Sequence, residues 1–336
     1  MGKKVGEQTI VFEHKPKIIG GYSVVGQKEG NSNFKDYFDI ILNNDMFGEK
    51  TYENAERKIL ECAINNALDV SNISKDELDL LLSGDLLNQI ISSSFSARQL
   101  DVPFLGLYGA CSTMAETLAV GATFIDGGYL NNVACATGSH FSSAERQYRF
   151  PLELGNQRPP VSQWTVTGAG CTILSSRNSP LYISSATFGK VTDFGINDVN
   201  NMGAAMAPSA MSSIITHLED TKTNPSDYDL ILTGDLGKLG SEILMDLMEN
   251  KGYKLGNNYN DCGQMIFTNN QKTYQGGSGS GCSAVILNSY VYQKMREGKF
   301  KKVLFCATGA LLSTLSSQQG NTIPGICHVV EIRSEN

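Results

Sequence analysis

The stretch CSTMAETLAVGATFIDGGYLNNVACATG at residues 111–138 determines the fold class, because a second stretch repeats its plan. That second stretch is CSAVILNSYVYQKMREGKFKKVLFCATG at residues 282–309. Each begins with Cys-Ser, runs over a helical length, turns at a glycine (Gly127 or Gly298) and ends in an apolar strand closed by CATG. Both anchors repeat at one common offset, which indicates an internal duplication.

A further repeated motif extends the duplication toward the N-terminus of each half. LLLSGDL at residues 80–86 returns as LILTGDL at residues 230–236, and the residues that precede the two motifs also match without a gap. Each half can be read as strand, helix, strand, helix, strand, helix, strand, beginning at residues 18–26 and 181–189. Alternating strands and helices predict an α/β protein with mainly parallel sheets and helices on both faces.

The predicted boundary between the halves lies near residues 177–180. We therefore predict an N-terminal lobe at residues 1–178, which carries Cys111, and a C-terminal lobe at residues 179–336, which carries the glycine-rich loop 276–281. No low-complexity linker separates them, so we expect the two lobes to share one rigid interface.

The composition excludes several functional classes. The 336 residues carry a formal net charge of −7, which gives no basic footprint for nucleic acid. We find no apolar run near the ~18 residues that a membrane span needs, and no signal peptide, so we expect any membrane association to come through a partner. The eight cysteines form no CxxC pair, and we expect most of them to be small buried side chains.

The repeated Cys-Ser motifs mark the candidate site. Cys111 follows the small-residue turn at 109–110, and Cys282 follows the turn at 280–281. The N-terminus of a helix offers unpaired N–H groups, which lower the pKa of a thiol and attract anions. If a pseudo-twofold axis relates the halves, the two helix starts converge near their interface. We expect Cys111 to face the resulting pocket and Cys282 to pack beneath the glycine loop.

On these residues the chain resembles the thiolase superfamily, which includes the ketoacyl synthases. GACST (109–113) carries the nucleophile position, and GGSGSGCSAVIL (276–287) is the glycine-rich segment of the second half. Within that superfamily the chain is most similar to the stage V sporulation protein AD family, over residues 107–140 and 147–170. The resemblance implies a thiolase-like fold of two pseudo-twofold-related βαβαβαββ lobes in an αβαβα arrangement, and a homodimer.

The departures from the condensing enzymes of this superfamily concern the partners of the cysteine. Those enzymes pair it with a histidine and with a second histidine or an asparagine, which stabilise an oxyanion and move protons. The resemblance implies that the histidine position coincides with Asp235 and the asparagine position with Gly277. A carboxylate cannot donate to a developing oxyanion, and glycine has no side chain. Of the four histidines, only His140, just after CATG, is expected to reach the pocket.

The family resemblance therefore implies a binding protein rather than an enzyme. The implied ligand is dipicolinic acid (pyridine-2,6-dicarboxylate), as such or as its Ca²⁺ chelate, taken up by the developing spore, with a link to spore germination. The expected ligand-binding residues are Cys111, His140, Arg149, Asp235 and Gly277, with Arg149 as the carboxylate fork. The expected partners are other proteins of the stage V sporulation A operon, which would hold the chain peripherally at the spore inner membrane. We expect no catalytic residues, no cofactor and no metal ligands in the chain itself.

Two alternatives remain open from the sequence. One is an active acyl-transferase of the ketoacyl-synthase type that uses Cys111 as a covalent nucleophile. The other is a scaffold whose pocket is vestigial and empty. Two further side chains receive structural interpretations: Asp85, the repeat partner of Asp235, is expected to cap the following helix, and Trp164 is expected to anchor a loop or interface.

Overall fold

The computed structural model of the protein describes residues 2–148 and 158–335. Within these ranges the strands are β1 (Lys3–Val5), β2 (Thr9–Val11), β3 (Lys17–Val25), β4 (Ile40–Ile41), β5 (Leu80–Gly84), β6 (Phe104–Gly106), β7 (Asn132–Ser139), β8 (Trp164–Thr165), β9 (Gly168–Ser175), β10 (Leu181–Thr187), β11 (Leu230–Thr233), β12 (Tyr259–Asp261), β13 (Gly277–Ser278), β14 (Lys302–Ala310) and β15 (Gly325–Ser334).

The helices alternate with these strands. They are α1 (Gln27–Gly30), α2 (Tyr52–Ser71), α3 (Ile91–Leu100), α4 (Thr113–Asp126), α5 (Phe141–Tyr148), α6 (Met202–Thr221), α7 (Gly237–Asn250), α8 (Cys262–Ile266), α9 (Ser280–Ile286), α10 (Tyr292–Arg296) and α11 (Thr314–Gln318). A π-helical turn, Leu287–Val291, joins α9 to α10.

The duplication is visible in the order of the strands. The first half forms the order β6-β5-β7-β9-β3, and the second half forms the equivalent order β12-β11-β14-β15-β10. The two half-sheets meet at one antiparallel pair, Tyr182 opposite Lys17. In each half the chain follows the predicted βαβαβαββ sequence, so this expectation is confirmed. The N-terminal β2 pairs with β10, so residues 9–11 of the predicted first lobe lie against the sheet of the second.

The prediction of mainly parallel sheets is only half right. In the first half, β5 pairs in parallel with β6 and β7, whereas β9 pairs antiparallel with β7 and β3. The second half repeats this arrangement with β15 as the antiparallel strand. The last strand of each half returns between two strands that run the other way, and strand periodicity alone does not encode its direction.

The elements stack in the predicted αβαβα layers. Helix α4 contacts strands of both half-sheets, and α9 packs on β7, β9 and β3, so these helices form the middle layer. Their core side chains, including Met114 and Leu118, are fully buried between the sheets. Separate hydrophobic clusters lie under the outer helices α2 and α3 on one side, and α6 and α7 on the other. Every helix of the middle layer is thus apolar on more than one face.

Capping residues mark both ends of the outer helices α2 and α6. Thr51 accepts a hydrogen bond from the N–H of Asn54 (3.3 Å) at the start of α2, and Asn72 ends the helix in the left-handed conformation. The equivalent α6 starts at Asn201, which accepts from the N–H of Ala204 (3.4 Å), and ends at left-handed Lys222. The two helices therefore have equal lengths and place their following strands alike.

Glycine residues in the sheets allow the backbone of the middle layer to approach the strands directly. A Cβ atom at Gly309 of β14 would lie 2.2 Å from the carbonyl oxygen of Gly109, in the turn before Cys111. A Cβ at Gly170 of β9 would lie 2.5 Å from the carbonyl oxygen of Ala284 in α9. Backbone of one half therefore touches backbone of the other without an intervening side chain. Part of the high glycine content of the chain lies at these crossings.

We predict that Gly309→Ala lowers the free energy of unfolding by about 2–4 kcal/mol, because the added methyl group overlaps a backbone oxygen that cannot move freely. Urea unfolding followed by circular dichroism measures the change. Gly256→Ala is the control: Gly256 is exposed, and its nearest neighbour would be the Asn258 side chain at 3.2 Å, so the effect should stay within about 0.5 kcal/mol. Equal unfolding midpoints for Gly309→Ala and wild type would contradict the close contact.

Candidate functional site

A cavity of about 410 Å³ lies above Cys111, between the two halves. Its volume falls within the range of small-molecule sites, roughly 300–1,000 Å³. Both halves supply its walls, which consist of Leu86, Ala110, Cys111, Ala144, Glu145, Tyr148 and Thr165 from the first and Asn197, Val199, Met202, Ser278, Ala310, Leu312, Thr314, Ser317 and Gln318 from the second. The cavity is therefore the pocket that the duplication predicted.

Cys111 reaches the cavity from a strained turn at the start of α4. Ala110 has a φ of +51°, in the left-handed region, which costs a residue with a Cβ roughly 1–2 kcal/mol. Side chains on either side hold the turn: Ser112 Oγ donates to the Gly109 carbonyl and Thr113 Oγ1 donates to the Ala110 carbonyl, both at 2.7 Å. Only 7% of Cys111 is exposed, and it faces the cavity.

Asp235 is the polar partner of Cys111. Its carboxylate is fully buried and accepts hydrogen bonds from Ser278 Oγ (2.8 Å) and the Gly279 N–H (3.1 Å) on one oxygen. Thr308 Oγ1 donates to the other oxygen at 2.9 Å, and Cys111 lies close enough to this carboxylate for its thiol to feel the negative charge. The structure thus places Asp235 behind Cys111 and Ser278, outside the residues that line the cavity itself.

The pKa of the Cys111 thiol is shifted in the direction opposite to the one expected. Burial, together with the negative charge and hydrogen bonding of Asp235, raises the pKa of Cys111 well above its ordinary value, although the Gly279 N–H and Ser278 oppose the shift. Burial also raises the pKa of Asp235 to about 6. The prediction that the helix start lowers the thiol pKa was therefore wrong, because burial and a nearby carboxylate outweigh the helix dipole.

Two buried side chains fix the position of Asp235. Gln163 Nε2 donates to the carbonyl oxygens of Asp235 (2.6 Å) and Gly277 (2.8 Å), which ties the two loops together. Asp261 accepts from the N–H groups of Leu236 and Gly237, each at 2.9 Å, just after Asp235 in the chain. The carboxylate of Asp235 therefore cannot turn away from Cys111 without breaking several buried hydrogen bonds.

The predicted site residue Gly277 does not face the cavity, whereas its neighbour Ser278 does. A side chain at Gly277 would point into the core, 2.6 Å from Ile266 Cγ2 and 3.2 Å from Cys282 Sγ. Successive side chains of a strand point to opposite faces, so Ser278 is the residue that faces the cavity. Cys282 lies fully buried beneath this strand, and the prediction that it packs under the glycine loop is confirmed.

His140 does not line the cavity, contrary to expectation. Its Nδ1 accepts a hydrogen bond from the Ser142 N–H (3.1 Å), so Nε2 carries the proton and donates to the Asp45 carbonyl (2.9 Å). The ring is fully buried beside Tyr52, and burial lowers its pKa. Both ring nitrogens form hydrogen bonds to backbone groups of the first half, because the chain turns away from the pocket directly after β7.

The remaining histidines also lie elsewhere, so no histidine within the described residues lines the cavity. His217 contacts Thr187 Oγ1 through Nδ1 (2.8 Å). His328 accepts from the Gly189 N–H, and burial lowers its pKa to about 4. His14 contacts Asp126 near the N-terminus.

The predicted cation for the pocket, Arg149, lies outside the described residues. Two other arginines of this segment are placed. Arg146 is exposed and pairs with Glu53, whereas Arg158 donates from Nη1 to Glu145 Oε1 at 2.6 Å. Because Glu145 lines the cavity, Arg158 neutralises the one acidic side chain among its described walls.

The two structural interpretations of single side chains agree with the structure. Asp85 accepts from the N–H of Leu87 (3.0 Å) and from the N–H of Ser93 (2.8 Å) in the first turn of α3, so it caps that helix as predicted. Trp164 stacks on Phe141 with ring centroids 3.7 Å apart, and Lys28 Nζ lies 3.8 Å from its ring centre on the surface of the first half. Neither Asp85 nor Trp164 lines the cavity.

Neither a membrane-spanning helix nor a cluster of metal-binding side chains occurs in the described part of the chain. In residues 2–148 and 158–335, no helix combines the length and apolar composition that crossing a bilayer requires. The same part of the chain contains no group of three or more His, Cys, Asp or Glu side chains that could hold a metal ion.

Comparison with known proteins identifies the family. The model of the family described as Stage V sporulation protein AD matches residues 6–333. Stage V sporulation protein AD of Bacillus subtilis (strain 168) is 45% identical over 328 residues, which cover 98% of this chain and 97% of that protein. The chain belongs to the stage V sporulation protein AD family.

Solved structures confirm the thiolase-like fold that this family member adopts. The 3-oxoacyl-[acyl-carrier-protein] synthase III of Aquifex aeolicus VF5 has a TM-score of 0.59 at 15% identity, with 95% of this chain and 99% of that chain covered. Xanthomonas campestris OleA with bound lauric acid and lauroyl-CoA has a TM-score of 0.61 at 12% identity, with 95% and 99% covered. At these identities the likeness shows the fold and carries no function.

The motifs alone did not reveal several residues of the site. Thr308 belongs to the second CATG motif and could have been found from the repeat, since the equivalent Thr137 is also a buried donor. Thr137 bonds the Ser280 carbonyl (3.0 Å) of the other half, whereas Thr308 bonds Asp235 within its own half. Ser278 required the strand register. Tyr148 and the residues of α11 carry no sequence signal, because tertiary folding alone brings them to the cavity.

We predict that Asp235→Asn makes Cys111 react at least about tenfold faster with iodoacetamide at pH 8–9. Removing the adjacent negative charge lowers the thiol pKa, and one pKa unit changes the thiolate fraction tenfold. Peptide mass spectrometry of Cys111 measures the rate separately from the other cysteines. Asp85→Asn, the repeat partner, is the control and should leave the rate unchanged. A slower or equal rate in Asp235→Asn would show that its charge does not control the thiol.

Proposed function

We propose that this protein is a non-enzymatic binding protein for dipicolinic acid, free or as its Ca²⁺ chelate, that serves uptake of this compound into the developing spore. The observation that carries the proposal is the position of Cys111 at the floor of a cavity of ligand size, with the buried carboxylate of Asp235 behind it. Membership of the sporulation family supplies the biological setting. The pocket is then a condensing-enzyme pocket that has been reused for binding.

The protonation state of the Cys111 thiol argues against covalent catalysis. The thiolate is the nucleophilic form of cysteine, and the surroundings of Cys111 favour the neutral form. A histidine base would accept the proton and leave an ion pair, whereas Asp235 is itself an anion whose charge opposes ionisation of the thiol. Ser278 and Thr308, the hydroxyl groups next to Asp235, donate to its carboxylate and are therefore not free to donate to an oxyanion.

The size and polarity of the cavity fit a small aromatic ligand. Alanine, leucine and methionine side chains form much of its wall, and a few polar groups converge on it. The described wall offers one carboxylate, Glu145, which Arg158 neutralises. Calcium would accordingly enter as part of the ligand, held by the two carboxylates and the ring nitrogen of dipicolinate. This account needs no resident metal in the protein.

Partners and location follow from the same proposal. The family setting supports an assembly with other proteins of the stage V sporulation A operon at the spore inner membrane, where this chain would be peripheral. The exposed aromatic and aliphatic side chains Tyr129, Phe194 and Leu315 are available for such contacts.

We expect isothermal titration of wild-type protein with dipicolinate to show saturable one-site binding below millimolar concentration, with and without equimolar Ca²⁺. Met202→Trp should weaken binding at least about tenfold, because the larger ring occupies the cavity. Met211→Trp is the matched control: it lies on the same helix, half-buried against the outer core, and should change the affinity less than about threefold.

Two results would contradict this function. Absence of any saturable heat at millimolar dipicolinate would favour the scaffold alternative. Acyl transfer from an acyl-CoA that Cys111→Ala abolishes would instead support the enzyme alternative.

We also propose a homodimer, formed through β6. This strand ends the order of the first half-sheet among the described residues. Leu105 on the strand is 40% exposed, and Tyr108 just beyond it is 46% exposed. An open strand edge beside apolar side chains favours pairing with a second strand.

Sedimentation velocity should therefore give twice the chain mass for wild type and the single-chain mass for Leu105→Asp, since a charge at the paired edge must be buried without a partner. Tyr129→Asp, at a residue that is 75% exposed elsewhere on the first half, should leave the dimer intact. A monomeric wild type, or a dimer that persists in Leu105→Asp, would exclude this interface.

A further inference from the structure

The cavity over Cys111 has an apolar floor and a polar rim. The floor consists of buried side chains, most of them small or apolar: Leu86, Ala110, Cys111, Ala144, Glu145, Ser278 and Ala310, of which Glu145 is paired with Arg158. The exposed rim carries uncharged polar side chains, Asn197, Thr314 and Gln318. A ligand with one apolar edge and one charged edge therefore meets a different surface at each end of the cavity.

The polar groups of the floor are already engaged. Ser278 Oγ donates to Asp235, which lies directly behind it, and Cys111 lies near the same carboxylate. Ser278 cannot bond a ligand carboxylate without abandoning a buried carboxylate, and an unpaired buried charge is costly. A ligand carboxylate at the floor would also approach the charge of Asp235 in a region that excludes water.

We propose that a flat aromatic dicarboxylate binds with its apolar ring edge on the floor, against Cys111, and with both carboxylates at the rim. This inference rests on the proposed function and adds the direction of the ligand. For dipicolinate, position 4 of the ring points toward Cys111 and Asp235. The two carboxylates and the ring nitrogen face outward.

This direction has a consequence for metal binding. The chelating edge of dipicolinate faces solvent at the rim, so a Ca²⁺ ion on that edge keeps its water ligands and does not touch the floor. The protein consequently recognises the ring rather than the chelate. Free dipicolinate and its calcium complex bind at the same place with the same orientation.

Titration with derivatives substituted at position 4 tests the orientation on wild-type protein. Pyridine-2,4,6-tricarboxylate should bind about thirtyfold or more weakly than dipicolinate, because its third carboxylate enters the apolar floor beside Asp235. The control ligand, 4-methylpyridine-2,6-dicarboxylate, places an uncharged methyl group at the same position and should bind within about threefold of dipicolinate.

The variant Asp235→Asn provides a second measurement. It removes the charge behind the floor, so the affinity for the tricarboxylate should rise at least about tenfold relative to dipicolinate. If this variant does not fold, the series of ligands on wild type decides alone. Equal affinities for the tricarboxylate and dipicolinate would overturn the orientation while the proposed function stands. Absence of dipicolinate binding to wild type would overturn both.

Discussion

The contact between the backbone of β14 at Gly309 and the turn before Cys111 is the constraint on which the site depends. It brings the second half against the first with no side chain between them. Asp235, which Ser278 and Thr308 hold by hydrogen bonds, can lie near Cys111 because this approach is so close. The left-handed conformation of Ala110 persists for the same reason, since the surrounding structure leaves the turn no other path.

At this contact between the halves, burial and the carboxylate of Asp235 favour the neutral, protonated form of the Cys111 thiol. Where the family resemblance implies a histidine, this chain has Asp235, whose negative charge opposes ionisation of the thiol. The buried hydrogen bonds of Gln163 and Asp261 hold that side chain in place.

The duplicated α/β architecture could be predicted from the sequence because the repeated motifs stand at matching distances in the two halves. The alternation of strands and helices in each half follows from the two repeats, whereas the layer order and the position of Asp235 were implied by the family resemblance. Several points did not follow, among them the antiparallel direction of β9 and β15. The sign of the thiol pKa shift depends on burial, which a motif does not report. The facing residue at 277–278 depends on strand register. His140 follows β7 directly but turns into the first half, and α11 reaches the cavity from a distant part of the chain.

The shared middle layer bears on how such a chain arose. In each half, the central helix buries one face on its own sheet and another on the sheet of its twin. A single unit would expose side chains such as Met114 and Leu118 to water on the side that its twin now covers. The hydrophobic core of one half is therefore complete only when the other half covers its central helix.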